Sequence, residues 1–293
     1  MAVVAHGSMT VAVIGAGEMG SAVGRRLRHL GARVITELAG RSKQSAQRVA
    51  DAGLEVVDDD QRLVREANFI LSIVPPGVAI GIAERFRGAL SSTVRKPVFV
   101  ECNAIAPATV RRIGAMLSET GCSFVDAGII GGPPTIDSPA GGPRFYAAGP
   151  ASHKFASLGQ YGLDIAVLEA PVGAASALKL AYAGLTKGFT ALGAAMIAAA
   201  TREHLGDSLR AELARTQPDM LLRLERMIPA MFPKAYRWVA EMEQIADFAA
   251  DEKKGAAIYL GAARLYEEIA TEFDGDSAGE SFSALTSFCK PTR

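Results

Sequence analysis

Cysteine is scarce in this chain, with only Cys102, Cys122 and Cys289 among 293 residues. Three thiols cannot build a disulfide framework, which points to a reducing compartment and a cytoplasmic location. Aromatic residues are also few, 6% with one Trp, so stacking platforms for nucleic acid bases are not expected. Net charge is missing altogether, because 31 basic residues balance 31 acidic ones. Such a chain has no basic field to draw nucleic acid or an anionic membrane surface. The most apolar stretch, Gly188 to Ala200, falls short of the ~20 residues a spanning helix needs. Lys187 and Arg202 flank it, so it reads as a buried core helix. The opening MAVVAHGSM lacks both a charged start and a long apolar run, and so does not read as a secretory signal. His6, His29, His153 and His204 are scattered without a ligand spacing, and no metal site is expected. Neither a G-x-S-x-G elbow nor a G-K-[ST] phosphate loop occurs.

What the chain does have is apolar bulk (49% hydrophobic) and 30 glycines. Its length suits one large or two ordinary domains, and the apolar content excludes a disordered protein. Thr10 to Ile14 (TVAVI) is a short β-branched run that ends in GAGEMG. Met19, Val23, Leu27 and Leu30 then return at helical spacing, and Gly31 stops the helix. A strand from Arg33, a helix near Gln44–Ala52 and a strand over Asn68–Val74 come next, the last ended by Pro75-Pro76. Beyond them lie a helix over Val78–Phe86, the strand Val98–Glu101, a helix over Pro107–Leu117 and a strand at Phe124–Ala127. A Gly/Pro-rich loop spans Gly131 to Gly142. Strands alternating with helices predict a parallel, doubly wound α/β sheet of the Rossmann type over residues 1–170. Asp58-Asp59-Asp60 reads as a solvated turn and helix cap.

After Pro171 strand signals disappear. Residues 171–293 are expected to form an all-helical substrate and dimerisation domain, built on a long central helix over roughly Val172–His204. An apolar helix of that length suggests burial against a second subunit, hence a homodimer. From Asp274 onward the polar, Gly/Ser-rich sequence predicts a loosely held tail.

The G-x-G-x-x-G pattern Gly15-Ala16-Gly17-Glu18-Met19-Gly20 succeeds a strand and opens a helix. That context marks a dinucleotide site. Gly15 permits the tight turn, Gly17 lets the backbone approach a pyrophosphate, and Gly20 lets the helix pack on the sheet. The helix N-terminus offers free N–H groups to the phosphates. The choice of dinucleotide turns on the residues at the end of the second strand, Thr36-Glu37-Leu38-Ala39-Gly40-Arg41-Ser42. Glu37 argues for NAD, through the ribose 2′-hydroxyl. Arg41 with Ser42 argues for the 2′-phosphate of NADP. The balance favours NADP(H), with NAD possible.

At this point the chain resembles the β-hydroxyacid dehydrogenases, relatives of 6-phosphogluconate dehydrogenase. GAGEMGSAVGRRL is similar to that family's G-x-G-x-M-G opening, and Ile73-Val74-Pro75 to its strand ending near the nicotinamide. Glu101-Cys102-Asn103-Ala104-Ile105-Ala106-Pro107 lies over D-x-S-T-x-x-P, and Asp126 to Pro133 over D-A-P-V-S-G-G. Gly173 to Lys179 resembles the G-x-G-x-x-x-K run at the start of the long helix. Five segments in order over Thr10–Ala183 carry the resemblance. Asn103 and Ile130 stand where the family has serine, and Ala183 where it has asparagine. Tyr236 to Ile245 (YRWVAEMEQI) resembles the C-terminal domain of an uncharacterised branch of the same superfamily.

The resemblance implies an NAD(P)-dependent oxidoreductase that transfers hydride to or from a small β-hydroxy acid or related alcohol. It extends cofactor contact to Glu18, Met19, Val74, Pro75, Pro76 and Asn103, and names Lys179 as the group that moves the hydroxyl proton. A lysine in an apolar helical stretch (Ala175, Leu178, Leu180, Ala183) is costly to bury, and its pKa falls toward the range useful for this work. A lysine there can also snorkel to the surface. Lys187, two turns on, is the rival. Asn103 could bind a substrate carboxylate or the nicotinamide amide, or simply cap the helix that Pro107 starts. Gly131 and Gly132 could offer backbone N–H groups to a carboxylate, or only bend the chain. Tyr182 and Thr186 are further candidates for the substrate pocket. An imine reductase of the pyrroline-carboxylate type and a non-catalytic nicotinamide-nucleotide sensor are the competing functions.

Overall fold

The computed structural model describes residues 9–135, 142–250, 253–274 and 280–290. Residues 1–8, and 136–141 of the Gly/Pro-rich loop, lie outside the described residues. The chain divides into two compact units, residues 1–179 and 180–293.

The first unit carries one eight-stranded sheet. Its elements in chain order are β1 (Thr10–Ile14), α1 (Glu18–His29), β2 (Arg33–Thr36), α2 (Lys43–Ala52), β3 (Glu55–Val56) and α3 (Asp60–Glu66). After them come β4 (Phe69–Ser72), α4 (Ala79–Ser92), β5 (Val98–Glu101), α5 (Pro107–Ser118) and β6 (Ser123–Ile130). β7 (Arg144–Ala148), α6 (Ser152–Ala156) and β8 (Asp164–Val167) complete the sheet. The strand order is β3-β2-β1-β4-β5-β6-β7-β8. All neighbours are parallel except β6 and β7. The first six strands keep the dinucleotide-binding order, with the reversal of direction between β1 and β4.

Both faces are covered, and that is why these strands are apolar on both sides. Val11 and Val13 of β1 pack with Val23 and Leu27 of α1 on one face. Ala12 and Ile14 pack with Leu63 of α3 and Phe86 of α4 on the other. The doubly wound sheet expected from the sequence is present. Three strands were not foreseen. β3 is two residues long and exposed. β7 returns antiparallel, so no crossover helix announces it, and β8 is a partly buried edge strand. β6 runs on to Ile130 because Gly128, Ile129 and Ile130 pair with Tyr146, Phe145 and Arg144.

α7 (Ala174–Arg202) is the long helix. Its start falls in the first unit, so the division lies inside the helix rather than at Pro171. Asp126 at the end of the parallel run of β6 is the reason. Its Oδ2 accepts the backbone N–H of Gly173, Ala175 and Ser176 at 2.8, 3.0 and 3.2 Å, and its Oδ1 accepts the Ser176 hydroxyl at 2.6 Å. The helix's first turn therefore belongs to the sheet. Asp59 caps α3 by accepting the N–H of Arg62 at 2.7 Å.

The second unit holds the rest of α7 with α8 (Gly206–Thr216), α9 (Pro218–Met231), α10 (Ala235–Phe248), α11 (Lys253–Asp274) and α12 (Glu280–Cys289). Trp238 meets Tyr266 edge to face, with centroids 5.2 Å apart. The Tyr266 hydroxyl donates to the Lys187 carbonyl oxygen at 2.5 Å. The segment expected to be a loose tail contains α12, whose Leu285 and Phe288 are buried. Apolar residues at helical spacing supply the burial that the polar flanks concealed.

Candidate active site

β1 hands the chain to Gly15, whose φ of +100° only glycine adopts freely. A Cβ there would lie 2.1 Å from the Ile73 carbonyl oxygen, and one at Gly20 would lie 2.0 Å from that of Gly15. Both places are closed to any side chain. Gly17 is the opposite case. It is exposed, and a Cβ would meet no protein atom within 4 Å. Gly17 caps α1 without a side-chain acceptor for the first-turn N–H groups. An open backbone cradle at a helix N-terminus fits a pyrophosphate. Glu18 opens α1 on the exposed side, while Met19 packs partly against the core.

Glu37 comes directly after β2, yet its carboxylate is already engaged. One oxygen accepts the Ala39 N–H, and the other pairs with Arg85. Arg85 also binds Asp60 at 2.6 and 2.7 Å. Arg41 stands partly exposed beside the N-terminus of α2. Ser42 is the N-cap of that helix, accepting from the Ser45 N–H at 3.2 Å.

The glycine turn abuts the end of β4, and a chain of contacts leads from there across the sheet. Asn103 Oδ1 accepts the Val74 N–H at 2.6 Å, and its Nδ2 donates to the Ser72 hydroxyl at 3.1 Å. Asn103 therefore ties the end of β4 to the end of β5; the cap of α5 is Ala106. Its own N–H donates to Glu101 Oε1 at 3.0 Å. Between them, the Cys102 carbonyl accepts the Lys179 amine at 3.4 Å. Pro75 and Pro76 carry the chain on from Val74 into α4.

Lys179 packs its stem against Gly128 of β6, where a Cβ would lie 3.1 Å from the Lys179 Cβ. Burial is the main cause that brings its amine down to about 8, with Cys102, Glu101 and Asp126 opposing. Burial likewise pushes Glu101 up to about 8, and keeps the Cys102 thiol protonated. Glu101 is 1% exposed, and its Oε2 has no hydrogen-bond partner among the described residues. Burial pushes the Asp126 carboxyl above its ordinary range, and its four hydrogen bonds pull the other way.

Thus Gly15, Gly20, Val74, Asn103 and Lys179 line the carboxyl ends of β1, β4, β5 and β6. That edge, beside the reversal of strand order, is where ligands bind in doubly wound sheets. Gly131 and Gly132 extend from β6 at the same edge. Gly131 has φ +126°, and a Cβ on Gly132 would meet open space. Tyr182 and Thr186 belong to the second unit, where the Thr186 hydroxyl donates to the Tyr182 carbonyl oxygen at 2.9 Å. Lys187 is also there, paired with Glu241 and placed 5.0 Å from the Trp238 ring centroid. A cavity of about 650 Å³ lined by Arg111, Phe124, Lys154 and Val172 opens at the other end of β6.

Four polar residues escaped assignment from the sequence, namely Ser72, Glu101, Asp126 and Arg85. For three of them a signal existed. Each is a polar residue closing an otherwise apolar strand stretch (FILS, VFVE, FVD) at the carboxyl edge.

Residues 10–153 match the model described as the NAD binding domain of 6-phosphogluconate dehydrogenase. Residues 200–269 match a domain of unknown function, DUF1932. Residues 10–153 thus carry an NAD binding domain of the 6-phosphogluconate dehydrogenase kind, followed by a DUF1932 domain. An uncharacterised 28.5 kDa protein of Methanothermus fervidus is 26% identical over 71% of this chain and 78% of its own. The conserved protein MTH1747, of unknown function and noted for structural similarity to 3-hydroxyacid dehydrogenases, is 29% identical. It covers 90% of this chain and 97% of its own, with a TM-score of 0.68. At the level of fold alone, Mycobacterium tuberculosis 3-hydroxyisobutyrate dehydrogenase is 18% identical, with 96% and 99% coverage and a TM-score of 0.71. The imine reductase of Myxococcus stipitatus, in complex with NADP+, is 18% identical, with 96% and 100% coverage and a TM-score of 0.56.

Proposed function

We propose that the chain is an NADP(H)-dependent oxidoreductase acting on a small β-hydroxy acid or a related alcohol or carbonyl, with Lys179 as general acid and base. The observation that carries this reading is the half-buried Lys179 amine, held on the Cys102 carbonyl at the strand edge that bears the glycine turn. When bound, a nicotinamide would supply or accept the hydride. Lys179 gives its proton to the carbonyl oxygen in reduction and takes the hydroxyl proton in oxidation. Lys187 is the weaker candidate because Glu241 and Trp238 occupy its ammonium. The α7 positions Tyr182 and Thr186, and the backbone of Gly131 and Gly132, are assigned to the substrate.

The preference for NADP(H) rests on Glu37, whose carboxylate is held by Arg85 and the Ala39 amide rather than left for a ribose hydroxyl. Arg41 and the N-terminus of α2 would then hold the 2′-phosphate. Removing a charge-assisted contact of this kind is worth about 10- to 100-fold. Arg41→Ala raises KM for NADPH by that factor and leaves KM for NADH nearly unchanged; equal effects on both cofactors would overturn the assignment.

The similarity to an NADP+-bound imine reductase favours a second reading, reduction of a cyclic imine. Measuring absorbance at 340 nm with NADPH against hydroxy acids, their keto forms and cyclic imines separates the two. Tight cofactor binding with no turnover on any of them would instead support a nucleotide sensor. We further assign the chain to a homodimer. Leu185, Leu192 and Met196 stand 74%, 63% and 55% exposed at heptad-like spacing on α7. Sedimentation equilibrium yielding a monomer would refute it.

A further inference from the structure

Among the described residues, Glu101 is the buried carboxyl at this edge whose hydrogen bonds are incomplete. It closes β5 in register with Ser72 of β4 and Asp126 of β6. Asp126 has four donors and is fully occupied in holding α7. Glu101 receives the Asn103 N–H on Oε1 and is also stabilised by the Ser72 and Asn103 side chains, while Oε2 itself has no hydrogen-bond partner among the described residues. An unsatisfied buried carboxylate oxygen is expensive, so its presence one residue from the carbonyl that holds the half-buried Lys179 amine calls for a reason. Cys102 supplies the link. It sits between Glu101 and Asn103, and its carbonyl holds the Lys179 amine.

We propose that Glu101 is a positioning residue for Lys179, acting on the amine through its charge and through the Cys102–Asn103 turn that it closes. This rests on the reading of Lys179 as the acid–base group. The groups facing that amine are Glu101, Cys102 and Asp126. Cys102 stays a neutral thiol, and Asp126 is committed to the helix start, which leaves Glu101 as the adjustable charge. Glu101 and Lys179 both fall near 8. Two interacting groups so matched titrate as a pair, and each proton lost from one changes the hold on the other. As Glu101 ionises through about pH 8, its charge would hold the proton on the amine further up the pH scale than burial alone allows.

Glu101→Gln tests this, because Gln keeps the shape and the acceptor for the Asn103 N–H but cannot ionise. The probe is the Lys179 ¹³Cε resonance in ¹³C-lysine-labelled protein, assigned by its loss in Lys179→Met. With the neighbouring negative charge gone, its titration midpoint falls by about one pH unit, and the pH limb of turnover falls with it. Glu101→Asp, which restores an ionisable group, brings the midpoint back toward the wild-type value. If the Gln variant fails to fold, Glu101→Leu, which also removes the charge, is read in the same way. Superimposable titrations of wild type and the uncharged variant would overturn the proposal. Failure of the underlying reading shows separately, as undiminished turnover in Lys179→Met.

Discussion

Lys179→Met lowers turnover by about 10²- to 10⁴-fold, the range a positioned proton donor contributes, while NADPH binds as in the unaltered protein. The amine stands at the carboxyl edge of the sheet on the Cys102 carbonyl and is not part of the Gly15–Gly20 turn proposed for the dinucleotide. Methionine keeps the length and apolar character of the stem against Gly128, so the variant folds. Its stability also has a definite sign. Lysine held near 8, below its ordinary 10.5, is a penalty present in full below about pH 8 and gone above the ordinary lysine value. The methionine variant is therefore at least as stable as the unaltered protein at neutral pH, and the difference narrows as pH rises through that window. In the unaltered protein, carbonyl reduction needs the protonated amine and falls as pH rises through about 8. Alcohol oxidation needs the neutral amine and rises over the same interval. Stopped-flow turnover and fluorescence titration of NADPH check both halves. Turnover within about twofold of normal would end the assignment.

Asp126→Ala is the second large effect, and it acts on folding. Alanine leaves three backbone N–H groups and the Ser176 hydroxyl without the acceptor that Asp126 supplies. It also removes an anion from the N-terminus of α7. Stranding a buried polar network of this size costs about 3–5 kcal/mol. Asp126→Asn costs less, because its Oδ1 can still face the three amides while its NH₂ turns to the Ser176 hydroxyl, which can accept. Urea denaturation monitored by far-UV circular dichroism ranks the two variants. A loss under about 1 kcal/mol in the alanine form would mean that water replaces the carboxylate. Since Lys179 sits one turn beyond Ser176, turnover in the asparagine variant falls as the first turn shifts.

Much of the first unit was legible because its signals are local. TVAVI running into GAGEMG joins a buried strand, a turn that demands glycine and a helix start within a dozen residues. The closures at Gly15 and Gly20 in the structure are what that pattern encodes. β7 was illegible for the opposite reason, since its partner is chosen by antiparallel pairing with the end of β6 and no crossover helix marks it. The helix α12 was hidden because polar flanks masked two apolar anchors, Leu285 and Phe288.

The site divides the same way. By itself the sequence determined the class of fold, the glycine turn after β1 and Lys179 as a candidate, since each rests on neighbours along the chain or on a spacing within one helix. Only the tertiary structure decided that Lys179 meets a carbonyl 77 residues away, and that Asp126 fastens α7 across about 50. It alone decided that Glu37 is taken by Arg85 and Lys187 by Glu241. Burial sets the proton affinity of Glu101 and Lys179, and burial is a property of the packed sheet that no segment of the chain carries on its own.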